Sequence, residues 1–264
     1  MRAFAALLIM SSMLPASDHL SEVEAWRSKR LATLQADDGW LTVAGLYWLK
    51  PGLNRFAELP AGLEWTLHGK RVSLRQNGAE RELKPDNPGP ADLVKSGTLT
   101  MFIIERGGKY GVRVRDTNSP YRKSFKGVEH YPVDAKWKVA ARWHAYAQPK
   151  KRVLPTVIEG VTEEYDAPGE VEFKLAGKTL KLEPVLSGGR LFFVFRDLTT
   201  GKTTYPAGRF LYADLAKDGV VTLDFNQAYN PPCAFTPYAT CPLPLPQNRL
   251  PIALETGEKN YRLH

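Results

Sequence analysis

Two kinds of hydrophobic periodicity divide the chain into one helical segment and a long β-rich remainder. Between Ser21 and Leu34 apolar residues recur at steps of three and four, which predicts an amphipathic helix within residues 18–36. Ser21 and Glu24 have the spacing of a capping box at its start. The apolar stripe, expected to pack against a sheet, consists of Leu20, Val23, Trp26 or Arg27, Leu31 and Leu34.

Beyond Gly39 the pattern changes to alternation and short apolar runs separated by turn residues such as Gly107-Gly108 and Gly188-Gly189. Each run has the length of a strand, and no helical pattern separates neighbouring runs. The predicted strands cover residues 40–49, 70–75, 99–105, 110–115, 136–145, 171–175, 179–185, 191–196, 209–212 and 220–225. Many short strands with regular turns favour a mainly β fold, an antiparallel barrel or sandwich with one N-terminal helix.

A weak boundary near Pro120 divides the strands into two groups. We expect a smaller β subdomain at residues 37–119 and a main β domain at residues 120–264 that ends in a proline-rich terminal loop. No linker composition separates the two groups, so we do not expect them to fold independently.

The first 17 residues predict export. Arg2 supplies a short positive region, residues 3–14 form an apolar run, and Pro15-Ala16-Ser17 ends it with small residues. This run is too short to span a bilayer comfortably, and the rest of the chain has no longer one. We therefore expect a signal peptide at 1–17 and a periplasmic or secreted mature protein without a transmembrane segment. The alternative is a buried N-terminal helix.

The net charge of the chain limits the classes of partner that we expect. It has 36 Lys and Arg against 28 Asp and Glu, a net charge of +8, and loss of Arg2 with the leader lowers it to +7. Such a charge favours an anionic small molecule or an envelope glycan over a cationic partner, and is equally typical of a solvated basic surface. The basic residues are spread along the chain without a recognisable motif, so nucleic acid is not expected.

Three runs of sequence resemble the DUF1684 family. Residues 37–49 read DDGWLTVAGLYWL, residues 110–116 read YGVRVRD, and residues 224–244 read DFNQAYNPPCAFTPYATCPLP, with Asn248 and residues 257–259 after them. The resemblance covers nearly the whole chain after the leader, and its last motif is the most specific. Because the family has no assigned activity, the resemblance supplies no catalytic residues.

A second resemblance is confined to residues 50–56, which read KPGLNRF and are similar to the first strand of a forkhead-associated (FHA) domain. The chain lacks the Ser-x-x-His pattern and the glycine-arginine turn with which such domains bind phosphothreonine. The resemblance therefore implies at most an FHA-like arrangement of strands in residues 37–119, and no phosphopeptide binding.

Cys233 and Cys241 are the only cysteines of the chain. In an oxidising compartment an isolated pair at this short range predicts a disulfide. Two alternatives stay open: free thiols, or a zinc site completed by His130, His144 or Asp224. The sequence has none of the common metalloprotease, redox or nucleophile-elbow motifs, and no cofactor is expected.

Alternation along two predicted strands places basic side chains on one face of each. Arg113 and Arg115 lie opposite the valines of one strand, and Arg142 and His144 lie opposite the tryptophans of another. Since arginine binds carboxylate or phosphate in bidentate fashion, these residues are candidates for an anion site. The competing interpretation is a solvated face.

The proline-rich terminal loop is the other candidate site, because a rigid loop holds side chains in place without a strand. Its polar residues either contact a ligand or satisfy the backbone of the loop itself. The candidates are Asp224, Asn226, Tyr229, Asn230, Tyr238, Asn248 and Glu258.

Three functions are compatible with these features. The first is an exported protein that binds an anionic or carbohydrate-like ligand. The second is an exported hydrolase with a site in the segment 224–258, using Asp224 or His130. The third is a structural or interaction protein. An enzyme requires titratable groups that converge in a pocket with the terminal loop, whereas a binding protein requires a concave face lined by aromatic and arginine side chains. The sequence leaves the enzyme question open.

Overall fold

A computed structural model describes residues 16–261 and has a mainly β architecture of antiparallel sheets with an N-terminal helix, as the sequence predicts. The helix, α1, spans Ala16–Gln35. Most of the predicted leader, residues 1–15, lies outside the described residues. Within the described part of the chain, no helix is both long and apolar enough to cross a bilayer.

The buried face of α1 differs from the predicted apolar stripe. Val23 and Leu34 are buried as expected, but Leu20 and Leu31 are exposed. His19 is buried in their place, and Arg30 turns inward to contact the C-terminal part of the chain. The helix also starts before Ser21, so the predicted capping box is wrong. Helix α1 therefore packs through polar contacts as well as apolar ones.

The strands before residue 119 form two antiparallel sheets. The first has the order β1-β8-β7-β6 and the second β2-β3-β4-β5. The strands are β1 Val43–Trp48, β2 Gly52–Asn54, β3 Leu63–His68, β4 Arg71–Gln76, β5 Ala79–Leu83, β6 Val94–Ser96, β7 Leu99–Arg106 and β8 Lys109–Asp116. Alternate residues such as Trp65, Met101 and Val112 face a shared core. We call these two sheets the N-terminal sheets.

A short helix, α2 at Pro120–Ser124, leads into the second group of strands. They form one sheet of order β11-β10-β9-β15 and another of order β12-β13-β14. The strands are β9 Lys138–Pro155, β10 Thr162–Leu175, β11 Lys178–Leu182, β12 Val185–Ser187, β13 Arg190–Phe195, β14 Arg209–Ala213 and β15 Val220–Asp224. Their core includes Phe193, Phe195 and Phe225. We call them the C-terminal sheets.

The terminal segment, residues 225–261, consists of short 3-10 turns and extended chain that pack over the C-terminal sheets and reach the N-terminal ones. The Thr236 hydroxyl donates to the Val43 carbonyl at 2.8 Å. Gly107, at the β7–β8 turn, has a positive φ of 56°, and a Cβ there would lie 2.7 Å from the Thr162 carbonyl oxygen. Glycine thus allows the close approach of the two groups of sheets at this point.

Candidate functional site

A cleft lies between the N-terminal and C-terminal sheets. Its outer part has a volume of about 840 Å³, and a narrower inner part of about 180 Å³ adjoins it. The two parts share Arg106, Glu163, Tyr165 and Ser187 in their walls, so they form one continuous space. We call it the inter-sheet cleft. The volume of the outer part lies in the range of small-molecule sites.

The outer part of the cleft is polar and charged. Arg106, at the end of β7, forms a bidentate pair with Asp86 at 2.8 Å for each nitrogen–oxygen contact. Its Nε lies 3.0 Å from Glu163 on β10, so the guanidinium joins the N-terminal and C-terminal sheets. Glu105 and Glu164 also line this part. Among its described lining residues, four carboxylates therefore surround one guanidinium.

The inner part of the cleft has an aromatic wall. The rings come from the segment before β1 and from three strands of the C-terminal sheets, and they are Trp40, Tyr165, Phe192, Phe210 and Tyr212. Phe192 and Tyr212 are stacked with ring centroids 4.7 Å apart. The hydroxyls of Ser187 and Tyr212 lie 3.1 Å apart. Cys241 and Thr240 of the terminal segment complete this part.

Tyr165 is a neutral hydrogen-bond donor in this site. Burial raises the pKa of its phenol far above the ordinary value, and the neighbouring Glu163 carboxylate raises that pKa further. The phenol donates its hydrogen bond to Glu163. The cleft thus holds Glu163 between a fixed donor and the Arg106 guanidinium, with its position determined from two sides.

Comparison with known proteins assigns the chain to a protein family. The model of DUF1684, described as a protein of unknown function, matches residues 123–259, about half of the chain. The chain belongs to the DUF1684 family. A solved structure that the chain resembles is the solution NMR structure of an uncharacterised protein from Haloarcula marismortui. It is 32% identical, and the alignment covers 52% of this chain and 78% of that one with a TM-score of 0.44. No curated protein matches the chain.

The DUF1684 match covers one wall of the inter-sheet cleft. Glu163, Tyr165 and Cys241 fall inside the matched residues, whereas Trp40 and Arg106 precede them. The cleft is therefore built by the DUF1684 segment together with the N-terminal sheets of this chain.

The anion site predicted on two strands is not assembled. Arg113 and Arg115 lie on β8, in the N-terminal sheets, while Arg142 and His144 lie on β9, in the C-terminal sheets. Alternation specifies the face of a side chain within its own strand, but it carries no information about which strands pair. Arg113 is buried behind the inner part of the cleft, against Trp40 and Thr240.

The other three residues of that prediction lie apart from the cleft lining. Arg115 stacks over Phe102 at 4.8 Å. Arg142 is exposed on the sheet surface. His144 is half-buried, and within residues 16–261 its Nε2 has no hydrogen-bond partner.

Two candidates of the terminal loop, Asp224 and Asn226, lie together beneath α1. Asp224 accepts from His19 at 2.7 Å and from the backbone of Asn226. The Asn226 amide contacts both backbone groups of Asp134 and the hydroxyl of Thr256. These contacts use the polar groups of both side chains to fix the chain locally.

Glu258 and Asn230 form a second buried cluster under the same helix. Glu258 binds the Arg30 side chain at 3.0 Å and the Asn230 backbone N–H at 2.7 Å. Tyr229 lies beneath the Arg30 guanidinium, 4.5 Å from it, and burial raises the pKa of its phenol. Burial lowers the pKa of His130, whose backbone forms an isolated β-bridge with Glu258. Candidates that were scattered in sequence are thus brought together, around α1.

Asn248 and Tyr238 have separate positions. The Asn248 amide accepts from the Glu183 N–H at 2.9 Å and donates to the carbonyls of Glu183 and Val194, so it bridges two strand ends. The Tyr238 carbonyl accepts from Arg113 at 3.4 Å. Most terminal-loop candidates therefore satisfy backbone groups, which was one of the two interpretations of that loop.

The two cysteines are free thiols in the described structure, which corrects the predicted disulfide. The Cys241 sulfur accepts a hydrogen bond from the Cys233 backbone N–H at 3.0 Å, an arrangement set by the 3-10 turn at Pro232–Ala234. Within residues 16–261, no three His, Cys, Asp or Glu side chains converge as a metal site requires. Asp224, a predicted zinc ligand, is bound to His19 instead.

Sequence reasoning missed most of the inter-sheet cleft. Trp40, Arg106, Glu163, Tyr165 and Tyr212 were not candidates, because they lie far apart along the chain and belong to no motif. One usable signal was present in residues 163–165, where two glutamates and a tyrosine follow one another next to a turn. The pairing of this segment with Arg106 depends on the packing of two sheets.

Proposed function

We propose that the chain is exported and binds a carbohydrate-like ligand in the inter-sheet cleft. The observation that carries this proposal is the combination, in one cleft, of an aromatic inner wall with a rim of hydroxyl, carboxylate and guanidinium groups. Binding sites for small molecules typically combine a mostly apolar lining with a few convergent polar groups.

The aromatic wall suits a ring with apolar faces. Trp40, Tyr165 and Tyr212 offer flat surfaces against which the C–H faces of a sugar ring can pack. The Ser187 hydroxyl and the Glu163 carboxylate lie beside these surfaces and offer hydrogen bonds to hydroxyl groups. A polyhydroxylated ring uses both kinds of contact at once.

The charge at the entrance argues against a ligand that is anionic along its whole length. The carboxylates of Asp86, Glu105, Glu163 and Glu164 outnumber the Arg106 guanidinium there. Arg106 is also paired with two of those acids. A ligand rich in hydroxyl groups is not repelled by this rim. Its hydroxyl groups can donate hydrogen bonds to the carboxylates and accept them from the guanidinium.

The export part of the proposal rests on Arg2 and the apolar run at residues 3–14. Cell fractionation combined with N-terminal sequencing tests it. We expect a processed form that starts near Asp18, outside the cytoplasm. A full-length form that begins at Met1 and stays in the cytosol contradicts this part alone, and leaves the ligand proposal standing.

The ligand part is tested by screening soluble envelope oligosaccharides for an increase in melting temperature, followed by calorimetric titration of the hits. Ser187→Ala removes a hydroxyl of the cleft, and Tyr165→Phe removes the donor that positions Glu163. Both variants are expected to fold and to bind about tenfold more weakly, the cost of one lost or misplaced hydrogen bond. Glu129→Gln, on the exposed surface outside the cleft, is the matched control. If no oligosaccharide binds, or if the cleft variants bind as the wild type does, the proposal is wrong.

A hydrolase is the second candidate, because Glu163 is held by a neutral phenol and a guanidinium in the cleft. A positioned carboxylate with such partners is a requirement for acid–base catalysis. Glu163→Gln distinguishes the two functions. For a hydrolase, this variant retains the bound oligosaccharide and loses its turnover, whereas a binding protein returns every bound oligosaccharide intact with either residue.

A further inference from the structure

We propose that the inner end of the inter-sheet cleft recognises an anionic group, a carboxylate or a phosphate, through Arg113. This inference deepens the proposed function, since it assigns a charge to one end of the carbohydrate-like ligand. The ligand class it names is a sugar that carries a single acidic group.

Arg113 occupies an unusual position for an arginine. It lies in the middle of β8, paired with Leu46 on one neighbouring strand and Phe102 on the other, and only 3% of its surface is exposed. Its side chain leaves the sheet on the face opposite the apolar core and meets Trp40 and the terminal segment. The guanidinium is therefore enclosed between the two groups of sheets.

The charge of Arg113 is poorly matched by the protein. Among residues 16–261, no carboxylate forms an ion pair with it, and its Nε has no hydrogen-bond partner. Its contacts to the Tyr238 carbonyl and the Thr240 hydroxyl are both 3.4 Å long. A buried cation without a carboxylate is costly, and that cost falls when an anion binds next to it.

The electrostatic surroundings of Arg113 also disfavour its positive charge. Burial first, and then the nearby Arg106, lower the pKa of its guanidinium to about 10, although Asp86 and Cys241 act in the opposite direction. Two other cations, Arg106 and Arg115, lie near it. Arg106 is paired with Asp86 and Glu163, and Arg115 stacks over Phe102. Of the three guanidinium groups, that of Arg113 is the most buried, and it has no ion pair among the described residues.

Arg113 is adjacent to the inner part of the cleft. Its guanidinium lies 5.3 Å from the ring centroid of Trp40 and contacts Thr240, and both residues line that part. Arg113 itself lines neither part of the cleft, so an anion in the inner part reaches its guanidinium only between Trp40 and Thr240. The acidic entrance and the cationic inner end together favour a ligand whose hydroxyl groups face outward and whose acidic group faces inward.

The test measures the melting temperature of the whole protein in inorganic phosphate or in acetate, against chloride at equal ionic strength. For the wild type we expect a saturable rise, because a ligand that binds only the native state stabilises it by mass action. Arg113→Met is expected to lose the saturable part and to keep only the linear effect of phosphate as a salt. Arg75→Met, at an exposed arginine of the N-terminal sheets outside the cleft lining, is the matched control and should respond as the wild type does.

A second measurement does not depend on how well Arg113→Met folds. In wild-type protein labelled with ¹⁵N-arginine, the buried Nε–H of Arg113 is expected to shift during the phosphate titration, with the same midpoint as the thermal response. A saturable response in Arg113→Met overturns the inference, and so does a phosphate titration in which other arginine signals move and that of Arg113 does not.

Further titrations distinguish a carboxylate from a phosphate as the anionic group. They also distinguish a failure of this inference from a failure of the proposed function. Glucuronate and glucose 6-phosphate present the two acidic groups on a sugar, and glucose is their neutral control. The inference is supported if either acid binds at least tenfold more tightly than glucose and if this difference is lost in Arg113→Met. Equal binding of all three contradicts the role of Arg113 and supports the cleft as a neutral sugar site, while binding unaffected by Tyr165→Phe contradicts the proposed function itself.

Discussion

The pKa values of Cys233 and Cys241 are shifted in opposite directions, although the two thiols lie next to one another. A hydrogen bond from the Cys241 thiol lowers the pKa of Cys233, because it stabilises the thiolate more than the thiol. Burial raises the pKa of Cys241 well above its ordinary value. Cys241 also lines the inner part of the inter-sheet cleft, while Cys233 lies behind it and is half-buried.

This difference predicts selective alkylation. The thiolate is the reacting species, so iodoacetamide should modify Cys233 before Cys241 in the folded protein, at a rate that rises with pH through the lowered pKa of Cys233. Cys241→Ala removes the hydrogen bond and should move that rate profile to higher pH. Peptide mapping of the alkylated protein measures both, with urea-unfolded protein as the control in which both thiols react. Faster modification of Cys241 in the native state contradicts the prediction.

Asp197 and Arg209 form the most buried ion pair of the described residues, with each side chain 1% exposed and a nitrogen–oxygen distance of 2.8 Å. Arg209 also donates to the backbone carbonyls of Leu254 and Thr256. Asp197 accepts from the backbone of Thr199. The pair thus holds the terminal segment against β14 through both guanidinium NH groups, while the Arg209 Nε has no hydrogen-bond partner among the described residues.

Removing one partner of this pair leaves the other buried without its counter-charge. We therefore expect Asp197→Asn to lower the free energy of unfolding by about 3–5 kcal/mol. Urea denaturation followed by tryptophan fluorescence measures the change. The control is Asp214→Asn, whose carboxylate is 89% exposed in its pair with Arg190 and whose removal should change nothing measurable. Equal effects of the two substitutions contradict the structural role of the buried pair.

Helix α1 is attached to the rest of the protein at both of its ends. His19 binds Asp224 near the first end, and Arg30 binds Glu258 and the Asn230 carbonyl near the second. The Arg30 guanidinium additionally covers the ring of Tyr229. Since the leucines Leu20 and Leu31 are exposed, these polar contacts carry much of the attachment.

Arg30→Ala is expected to loosen the helix. Glu258 is fully buried, so loss of its partner should cost about 2–4 kcal/mol, somewhat less than for a fully buried pair because Arg30 keeps 14% of its side chain exposed. Amide hydrogen exchange should accelerate within Ala16–Gln35. Lys29→Ala, one residue earlier and exposed, is the matched control. If the amide hydrogen exchange of α1 is unchanged in the Arg30 variant, apolar packing alone holds the helix in place.

At the scale of the whole molecule, the inter-sheet cleft is also the joint between the N-terminal and C-terminal sheets. Arg106 crosses it to Glu163, and outside the cleft lining the Thr236 hydroxyl of the terminal segment donates to the Val43 carbonyl. Arg106 and Glu163, which would contact a ligand, therefore also couple the two groups of sheets. Ligand binding and cooperative unfolding are expected to be linked for this reason.

Arg106→Met tests the joint. We expect a lower melting temperature and a broader calorimetric transition, with a van't Hoff enthalpy below the calorimetric one, because the two groups of sheets unfold less cooperatively. The control is Arg55→Met, whose exposed pair with Glu64 lies within the N-terminal sheets. A sharp two-state transition in the Arg106 variant contradicts a coupling role.

The long β9–β10 hairpin shows where sequence patterns stop being informative about the fold. Its inner half was predicted from apolar alternation around Trp143 and Val171. Its outer half was missed, because residues such as Lys151 and Asp166 pair across the strands with both side chains exposed. Hydrophobic periodicity reports burial of one face by apolar side chains, and the half-buried face of this outer half carries charged residues such as Arg152 and Glu163, which hide that signal.

By itself the sequence determined the elements whose signals are local: the alternation of β7 and β8, the glycine turn between them, the presence of an N-terminal helix and the DUF1684 family. The inward face of α1, the free thiols and the inter-sheet cleft were decided by the tertiary structure. Arg106 meets Glu163, and Arg113 meets Thr240, only because two groups of sheets pack against each other with the terminal segment between them. Strand periodicity specifies the face on which a side chain lies, whereas contacts between sheets depend on packing that no local pattern encodes.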